Sequence, residues 1–596
     1  MKKNLAEGSF LSQEEIKLKT FKRIEEINAY VYKEIIIPVG FEIDPEGLWY
    51  TENKENKHPL KEWVSSSLWI TGYTRDHNNE NHGRVLEFMD IDNHLHTWTM
   101  PMELLSGDGS KILSALWNMG LQISVKRKAK EKLLEYIQRC KPTQRFRCVL
   151  QCGWYNKAFI LPDQTFGYIS KERIVFQNPT FIDCGLKESG SIEEWQKNVA
   201  CKANGNSKLI LALCASFSGP LLHLLNHANI GLHFRGSSSL GKSTALQVAN
   251  SVWGDSSGIQ TFRATANGLE GIASLHNDRL LCLDELGQIS PVEGGHVIYM
   301  LGNGLGKGRA NTLGLARMQA RWRLVYLSTG ELSLSQLMEE GGKNIKAGQE
   351  VRFIDIPADT GKYGLFENLH EFSCGADFSK HLHDSSKKYY GCASRVWLKC
   401  LVENIDEVES ILKMTISEIS QRYLPVDSSP QVIRVFNNFA LLAAAGELAS
   451  KFQITGWKNE VAIEGVMKNF NDWVGDRGSH GLYEEKNALS QVKSFFELHG
   501  ESRFSPWNRE IDDRSRTINR AGFKKDESKG VEFYVYIEIF RKEICRGLDC
   551  RLVEKLCIKR GYLVPDIEGN ATRPEALPGN SKTTRCYKFT SKILNE

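Results

Sequence analysis

Net charge is nearly absent from this chain: 76 Lys and Arg against 72 Asp and Glu leave +4 over 596 residues. So small an excess excludes a uniformly basic coat for a polyanion, and any nucleic-acid surface must come from local clusters. Paired cysteines are also missing. Cys148 and Cys152, with Cys140 upstream, lack the tight spacing of a zinc ribbon, and so do Cys545, Cys550 and Cys557. A chain of this length needs no disulfide framework, so the 14 scattered cysteines read as reduced core thiols in a cytoplasmic protein. Long apolar runs are lacking too. The most hydrophobic stretch, Leu209 to Leu225, is broken by Ser216, Ser218, Gly219, Pro220 and His223, which suits a buried helix and not a membrane span. Met1 to Gly8 has two lysines with no apolar run behind them, so no signal peptide is expected. No internal repeat or low-complexity tract is found, and residues 1–190 show no Cys/His cluster or acidic primase-like signature. What remains, 41% hydrophobic and 25% charged residues, is ordinary globular composition, enough for several domains with their own cores.

Against that background one stretch stands out. Gly236 to Ser243 reads as a glycine, four residues, then Gly-Lys-Ser, and Thr244 follows. Ile230 to Phe234 before it suits a buried strand, and Ala245 to Ala249 after it suits a helix. Strand, loop and helix in that order make a phosphate cradle. The amides of Gly236, Ser237, Ser238, Ser239, Leu240 and Gly241 face the phosphates of ATP. Lys242 reaches the β- and γ-phosphates, and the Ser243 hydroxyl ligates Mg2+.

Arg279 to Glu285 is an apolar run ending in two acids. All-apolar runs suit strands covered on both faces, with ligands at their carboxyl ends. There Asp284 can help hold Mg2+, and Glu285 can orient and deprotonate the attacking water. Trp322 to Gly330 reads as another buried strand ending in Ser328 and Thr329, either of which could sense the γ-phosphate or the water. Gln349 to Pro357 reads as the strand after that, with Arg352 near its start. Between acids and hydroxyls, four glycines from Gly302 to Gly308 make a flexible loop to which Lys307 and Arg309 give positive charge, and Arg317 follows.

The rest of the chain divides by pattern. Residues 1–190 read as an α+β accessory domain: a hairpin over Phe41 to Thr51 around the Asp44–Gly47 turn, a strand over Val64 to Thr74, and helices over Gly109 to Met119 and Lys128 to Arg139. The basic run Val125 to Lys130 reads as a solvated helix start. Residues 191–376 hold the nucleotide core and 377–480 are mostly helical. In 481–596 two short helices, Phe540 to Cys545 and Cys550 to Arg560, precede Gly561 to Val564 and Arg585 to Phe589, which could pair as a hairpin. That order describes a winged helix, with Lys555, Lys559 and Arg560, and Lys582, Arg585 and Lys588 near the wing, facing DNA phosphates. A small structural domain with a solvated basic face is the open alternative.

Several pieces taken together resemble a known family. They are the phosphate loop, Val252-Trp-Gly254, Leu283-Asp-Glu-Leu286, Gly304-Leu-Gly-Lys-Gly308, Leu327-Ser-Thr-Gly-Glu331 and Gly348-Gln-Glu-Val-Arg352. Arg84 to Phe88, Met100-Pro101, Gly153-Trp154 and Leu161 to Asp163 look like the same family's front end. The family is the group of predicted helicases of prophages and other mobile elements, including the replicative helicases of staphylococcal cassette chromosomes, which look like minichromosome-maintenance AAA+ ATPases. The resemblance implies a multidomain α/β protein with an AAA+ P-loop core, a helical lid and a winged helix. It places Ser328 or Thr329 as the sensor behind the acids, Arg352 as an arginine finger offered to the next subunit's ATP, and Arg434 as a lid arginine. It makes Lys307, Arg309 and Arg317 a pore hairpin gripping DNA. It implies a homo-hexameric DNA helicase working beside a separately encoded primase or polymerase. The competing readings are an AAA+ switch ATPase that binds DNA without unwinding it, and a DNA-binding scaffold whose ATP site is only structural.

Overall fold

The computed structural model describes residues 35–595, except 53–58, 168–171, 179–184, 310–318, 344, 427, 478–482, 509–516, 529, 547 and 580. Two compact units emerge. The first comprises residues 1–337, 352–423 and 437–470, and the second 338–351, 424–436 and 471–596.

The first unit contains the expected hairpin, Phe41–Asp44 paired with Gly47–Glu52. Its turn closes because the Asp44 carboxylate accepts the N–H groups of Glu46 and Gly47 at 2.9 and 3.0 Å, a side-chain mimic of a backbone turn. The strand expected over Val64 to Thr74 divides in two. Leu60–Ser65 stays with the hairpin, while Leu68–Arg75 joins a five-stranded sheet with Arg173–Phe176, Arg145–Val149, Gly83–Met89 and Leu95–Pro101. The break falls at Ser66 and Ser67, where the Ser67 hydroxyl donates to the Asp44 carbonyl and ties the corner. Helices Ser110–Asn118 and Arg127–Arg139 bury Ile112, Leu116, Leu133 and Ile137 into the same core as Leu68, Ile70, Leu86 and Phe88.

The unit's other five-stranded sheet is wholly parallel. We label its strands β1 (Ile230–Arg235), β2 (Gln260–Thr261), β3 (Leu280–Asp284), β4 (Val325–Gly330) and β5 (Ile354–Pro357). Their spatial order is β2-β3-β4-β1-β5. β1 leads into α1 (Lys242–Ser251), and β3 is followed by α2 (Pro291–Asn303). Leu281, Leu283, Leu327 and Phe234 are fully buried, as expected of strands covered on both faces. Behind α1 lies the helix Ser207–Leu224. It and Pro430–Lys451 are long and apolar enough to cross a bilayer, yet 89% and 78% of their most apolar windows are buried inside the protein. α3 (Gly375–Lys388) packs on α1, where the Thr244 and Ser379 hydroxyls meet at 2.7 Å.

One strand expectation needs correction. Ala347–Glu350 is a helical turn, and β5 starts only at Ile354. Pairing with β1 begins at Leu232↔Ile354, and Ile354 and Ile356 are the alternate residues that β5 buries. Arg352 therefore sits in the turn before the strand.

The second unit contains a sheet in the order Phe504–Pro506, Gly522–Glu527, Gly530–Tyr536, Thr584–Phe589, Arg573–Glu575. Phe496, Phe504, Phe533 and Phe589 form an aromatic cluster with centroids 4.8–5.8 Å apart along its packed pairs. The helical pair before the last strands is present, as a turn over Ile537–Ile544 and α4 (Cys550–Lys559), capped by the Asp549 carboxylate. The expected hairpin differs: Gly561 to Val564 contributes a single bridge, Leu563↔Phe589, and Arg573–Glu575 is the strand that pairs with Thr584–Phe589. The Asp566 carboxylate accepts the N–H groups of Glu568 and Asn570, turning the chain after the bridge.

Candidate functional site: a phosphate loop facing two acids and a threonine

β1 ends at Arg235, and the chain turns through Gly236–Leu240 into α1. The turn needs glycine at Gly241, which caps α1 with φ 100°, a region where a side chain would be strained. Ser237, Ser238, Ser239 and Ser243 are exposed, so the loop's open face carries small hydroxyls. Lys242 is buried, and its ammonium donates to the carbonyls of Gly236 at 2.7 Å and Ser237 at 2.6 Å. The loop thus wraps the lysine at the amino end of a ten-residue helix, where backbone N–H groups and the helix dipole favour an anion.

Strand register sets what faces this loop. β1 pairs with β4 as His233↔Ser328, Phe234↔Thr329 and Arg235↔Gly330, and β3 pairs with β4 as Leu283↔Ser328. The carboxyl ends of the three strands are therefore level, which brings the loop, Thr329 and Asp284 to one edge. The Thr329 hydroxyl donates to the Asp284 carboxylate, and the same carboxylate oxygen accepts the Glu285 N–H at 3.1 Å. Glu285 has φ 58°, in the left-handed region that non-glycine residues seldom occupy. Holding it there costs about 1–2 kcal/mol, and such strain clusters at functional sites.

Alternation along β4 separates the two hydroxyls that the sequence left open. Ser328 points to the opposite face from Thr329 and meets the His233 Nδ1 at 2.6 Å. Burial pushes the His233 imidazole down to about 3, so the ring is neutral. Its Nε2–H donates to the Leu332 carbonyl at 3.0 Å, and its Nδ1 accepts the Ser328 hydroxyl. Ser328 is thereby committed to structure, and Thr329 is the hydroxyl beside the acids. The sequence reading assigned His233 no role; a histidine inside an otherwise apolar strand was its only signal.

Within the first unit, Arg352 lies apart from this group. Arg352 precedes Ile354, which pairs with Leu232, so it stands at the opposite end of the sheet from Gly236. At about 3.3 Å per residue the separation along the strands is roughly 20 Å. Its guanidinium carbon is 5.2 Å from the Tyr299 ring centroid on α2. Arg434 is exposed on the helix Pro430–Lys451 and belongs to the second unit. After α2 the chain forms a hairpin stem: Leu305 bridges Arg321, and the N–H groups of Trp322 and Gly306 donate to Gly304 and Ala320. Lys307 is exposed there. Arg309 pairs with the buried Glu270 at 2.9 Å and also reaches Asn267, so part of its charge is spent within the fold. Arg317 lies outside the described residues. On α4, Lys555 and Lys559 are exposed one turn apart, with Arg560 beside them and Arg551 one turn before. Of the residues expected near the wing, Arg585 pairs with Asp566 and Lys588 with Glu532, while Lys582 is exposed.

Among the described residues no group of three or more His, Cys, Asp or Glu side chains could hold a metal alone. Magnesium bound with phosphates needs only one or two protein oxygens, and the Ser243 hydroxyl and Asp284 carboxylate are of the right hard-oxygen type.

Residues 41–321 match a family described as a domain of unknown function (DUF927), a span that holds the phosphate loop and both acids but stops before Thr329 and Arg352. No curated protein matches at a significant level. Among solved structures, the SCCmec type IV Cch active helicase aligns over 94% of this chain and 100% of its own, with 17% identity and a TM-score of 0.67. The two chains share a fold, and the structure matched is a cassette-chromosome helicase of the kind the motifs resemble. The apo C-terminal region of NrS-1 aligns over 65% of this chain and 91% of its own, at 8% identity and a TM-score of 0.22, too low to indicate a common overall fold.

Proposed function

We propose that this protein is an ATP-driven DNA helicase of a mobile element or prophage, an AAA+ ATPase whose subunits share ATP sites around a ring. One observation carries the reading. The loop of Lys242, the acids and Thr329 converge on one end of a parallel sheet, while the conspicuous arginine, Arg352, stands at the other end. Phosphoryl transfer relies on positioning and charge neutralisation, and an arginine supplied in trans can complete such a site. An arginine roughly 20 Å from its own loop meets a triphosphate only on a neighbouring copy.

In this reading the loop amides and Lys242 hold the phosphates, and Ser243 and Asp284 would hold Mg2+, which neutralises charge on the β- and γ-oxygens. Glu285 takes the proton of the attacking water. Thr329 fixes the Asp284 carboxylate and reports the state of the γ-phosphate. The hairpin after α2 brings Lys307 to the DNA backbone, with Arg309 released from Glu270 when it engages. The exposed row on α4, Lys555, Lys559 and Arg560, forms a second DNA contact in a winged-helix-like domain. The contacts are to phosphates, so they are independent of sequence and weaken with salt. A hexamer, a lid role for Arg434 and a separately encoded primase or polymerase partner belong to the same proposal.

The test is ATP hydrolysis and forked-duplex unwinding, with and without single-stranded DNA. Lys242→Ala should abolish both. DNA-stimulated hydrolysis without strand separation would replace the helicase by a switch ATPase. Intact turnover and biological activity in Lys242→Ala would leave only a DNA-binding scaffold. Arg352→Ala and Glu285→Gln should each be inactive alone and regain turnover when mixed; no rescue at any ratio defeats the shared site.

A further inference from the structure

We infer that Tyr299 is the positioning residue for Arg352, holding its guanidinium toward the neighbouring subunit and linking it through α2 to the DNA hairpin. The inference rests on the shared-site reading above. Arg352 is held from two sides. Its backbone carbonyl accepts the Tyr326 hydroxyl at 2.7 Å, and the adjoining Phe353 is buried in a stack with His233 at 4.9 Å and Tyr326 at 5.9 Å. That sandwich fixes the start of the side chain. The rest of it lies across α2. Gly302 makes the crossing possible, because a Cβ there would come within 2.9 Å of the Arg352 Cβ and Cδ. One turn earlier on the same helical face, the Tyr299 ring stands 5.2 Å from the guanidinium.

Tyr299 is 47% exposed, so core packing does not account for it. A planar cation over an aromatic face keeps its direction. The placement of α2 adds the link. The helix follows the Glu285 turn Leu286–Gln288, and Gly304 caps it in the left-handed conformation at the hairpin stem. A shift of α2 driven from the hairpin or from Glu285 therefore moves the ring under Arg352. The arginine's reach into the next ATP site then depends on the state of its own subunit.

The experiment uses full-length protein and steady-state ATP hydrolysis in the presence of single-stranded DNA. Tyr299→Leu keeps an apolar side chain of helix-forming type and removes the ring. Its kcat should fall on the order of tenfold, since small misplacements of a catalytic group cost up to about a hundredfold, with KM for ATP changed less than about twofold. Tyr299→Phe keeps the ring and should restore turnover. Mixed subunits separate finger from site. Tyr299→Leu mixed with Glu285→Gln, which has a sound arginine, should rise above Tyr299→Leu alone; mixed with Arg352→Ala it should not rise. The opposite pattern, rescue by Arg352→Ala and none by Glu285→Gln, would show damage to the subunit's own site and overturn the inference. Full activity of Tyr299→Leu would also overturn it. Failure of the parent pair, Arg352→Ala with Glu285→Gln, to complement would instead remove the shared-site reading beneath it.

Discussion

At the carboxyl end of the parallel sheet, Lys242 is wrapped by its own loop and Asp284 is gripped by Thr329, so these groups are preorganised by one chain. At the amino end, Arg352 is just as firmly placed, by Tyr326 at its carbonyl and Phe353 beside it, a strand length away from the Gly236–Ser243 loop. The difference teaches that strand polarity alone sets the two groups at opposite ends, and the proposed junction between two copies is what would bring them together.

The largest effect expected breaks each end separately. Glu285→Gln should retain ATP binding and lose turnover by at least about a thousandfold, and Arg352→Ala should lose a similar factor, as arginine fingers elsewhere contribute about 10³–10⁵. Equilibrium binding beside single-turnover hydrolysis checks the pair. A loss of ATP affinity in Arg352→Ala as severe as that of Lys242→Ala would make the two ends alike and erase the contrast.

A finer cut runs through two adjacent residues. Thr329→Ala should lower kcat by about 10- to 100-fold by freeing the Asp284 carboxylate. Ser328→Ala should leave kcat within about threefold but destabilise the fold by roughly 1–3 kcal/mol, because it strips a hydrogen bond from the buried His233 ring. Thermal melts and steady-state kinetics on both variants read the two outcomes.

The basic regions offer a third comparison. Lys307→Ala should reduce the slope of log affinity against log salt on single-stranded DNA by about 0.7, the share of one phosphate contact. Lys555→Ala with Lys559→Ala should reduce the slope on duplex by about 1.8. Arg309→Ala should change it less than Lys307→Ala does, since Glu270 already neutralises that guanidinium. Fluorescence titrations across a salt series give all three slopes.

The smallest effect concerns the base of the core sheet. Burial pushes the Asp278 carboxyl up to about 7, although the Trp154 N–H donates to it at 3.0 Å. An unfolded aspartate loses its proton near pH 4. Between about pH 4 and 7 the unfolded chain has therefore released a proton that the fold retains, and rising pH removes stability. Asp278→Asn should match the parent near pH 4 and exceed it at pH 8 by on the order of 1–3 kcal/mol, measured by denaturation at both values. An unchanged difference between the two pH values would show that Asp278 ionises normally in the fold.

Much of this was legible before any coordinates. The strand, glycine-bounded loop and helix around Gly236 to Ser243 need a short, contiguous set of residue types, so local order alone exposed that geometry. The apolar run before Asp284 and Glu285 marked a covered strand for the same reason. The expected pairing of Gly561 to Val564 with Arg585 to Phe589 was legible only in part, because Thr584–Phe589 takes Leu563 at its far end and the short, strand-like Arg573–Glu575 along its near end. The same holds for the strand over Gln349 to Pro357, whose first half is a helical turn, so that ladder pairing with β1 starts only at Ile354.

What the sequence by itself determined, then, is the chemistry on offer: a lysine in a glycine-bounded loop, an acid pair behind a hydrophobic run, and two hydroxyls at a strand end. Only the tertiary structure decided how these are dealt out. Alternation along β4 sent Ser328 to His233 and Thr329 to Asp284, and parallel register put Arg352 a full strand length from the loop. Residue types are local properties of a chain, whereas facing, level and distance exist only once strands have paired.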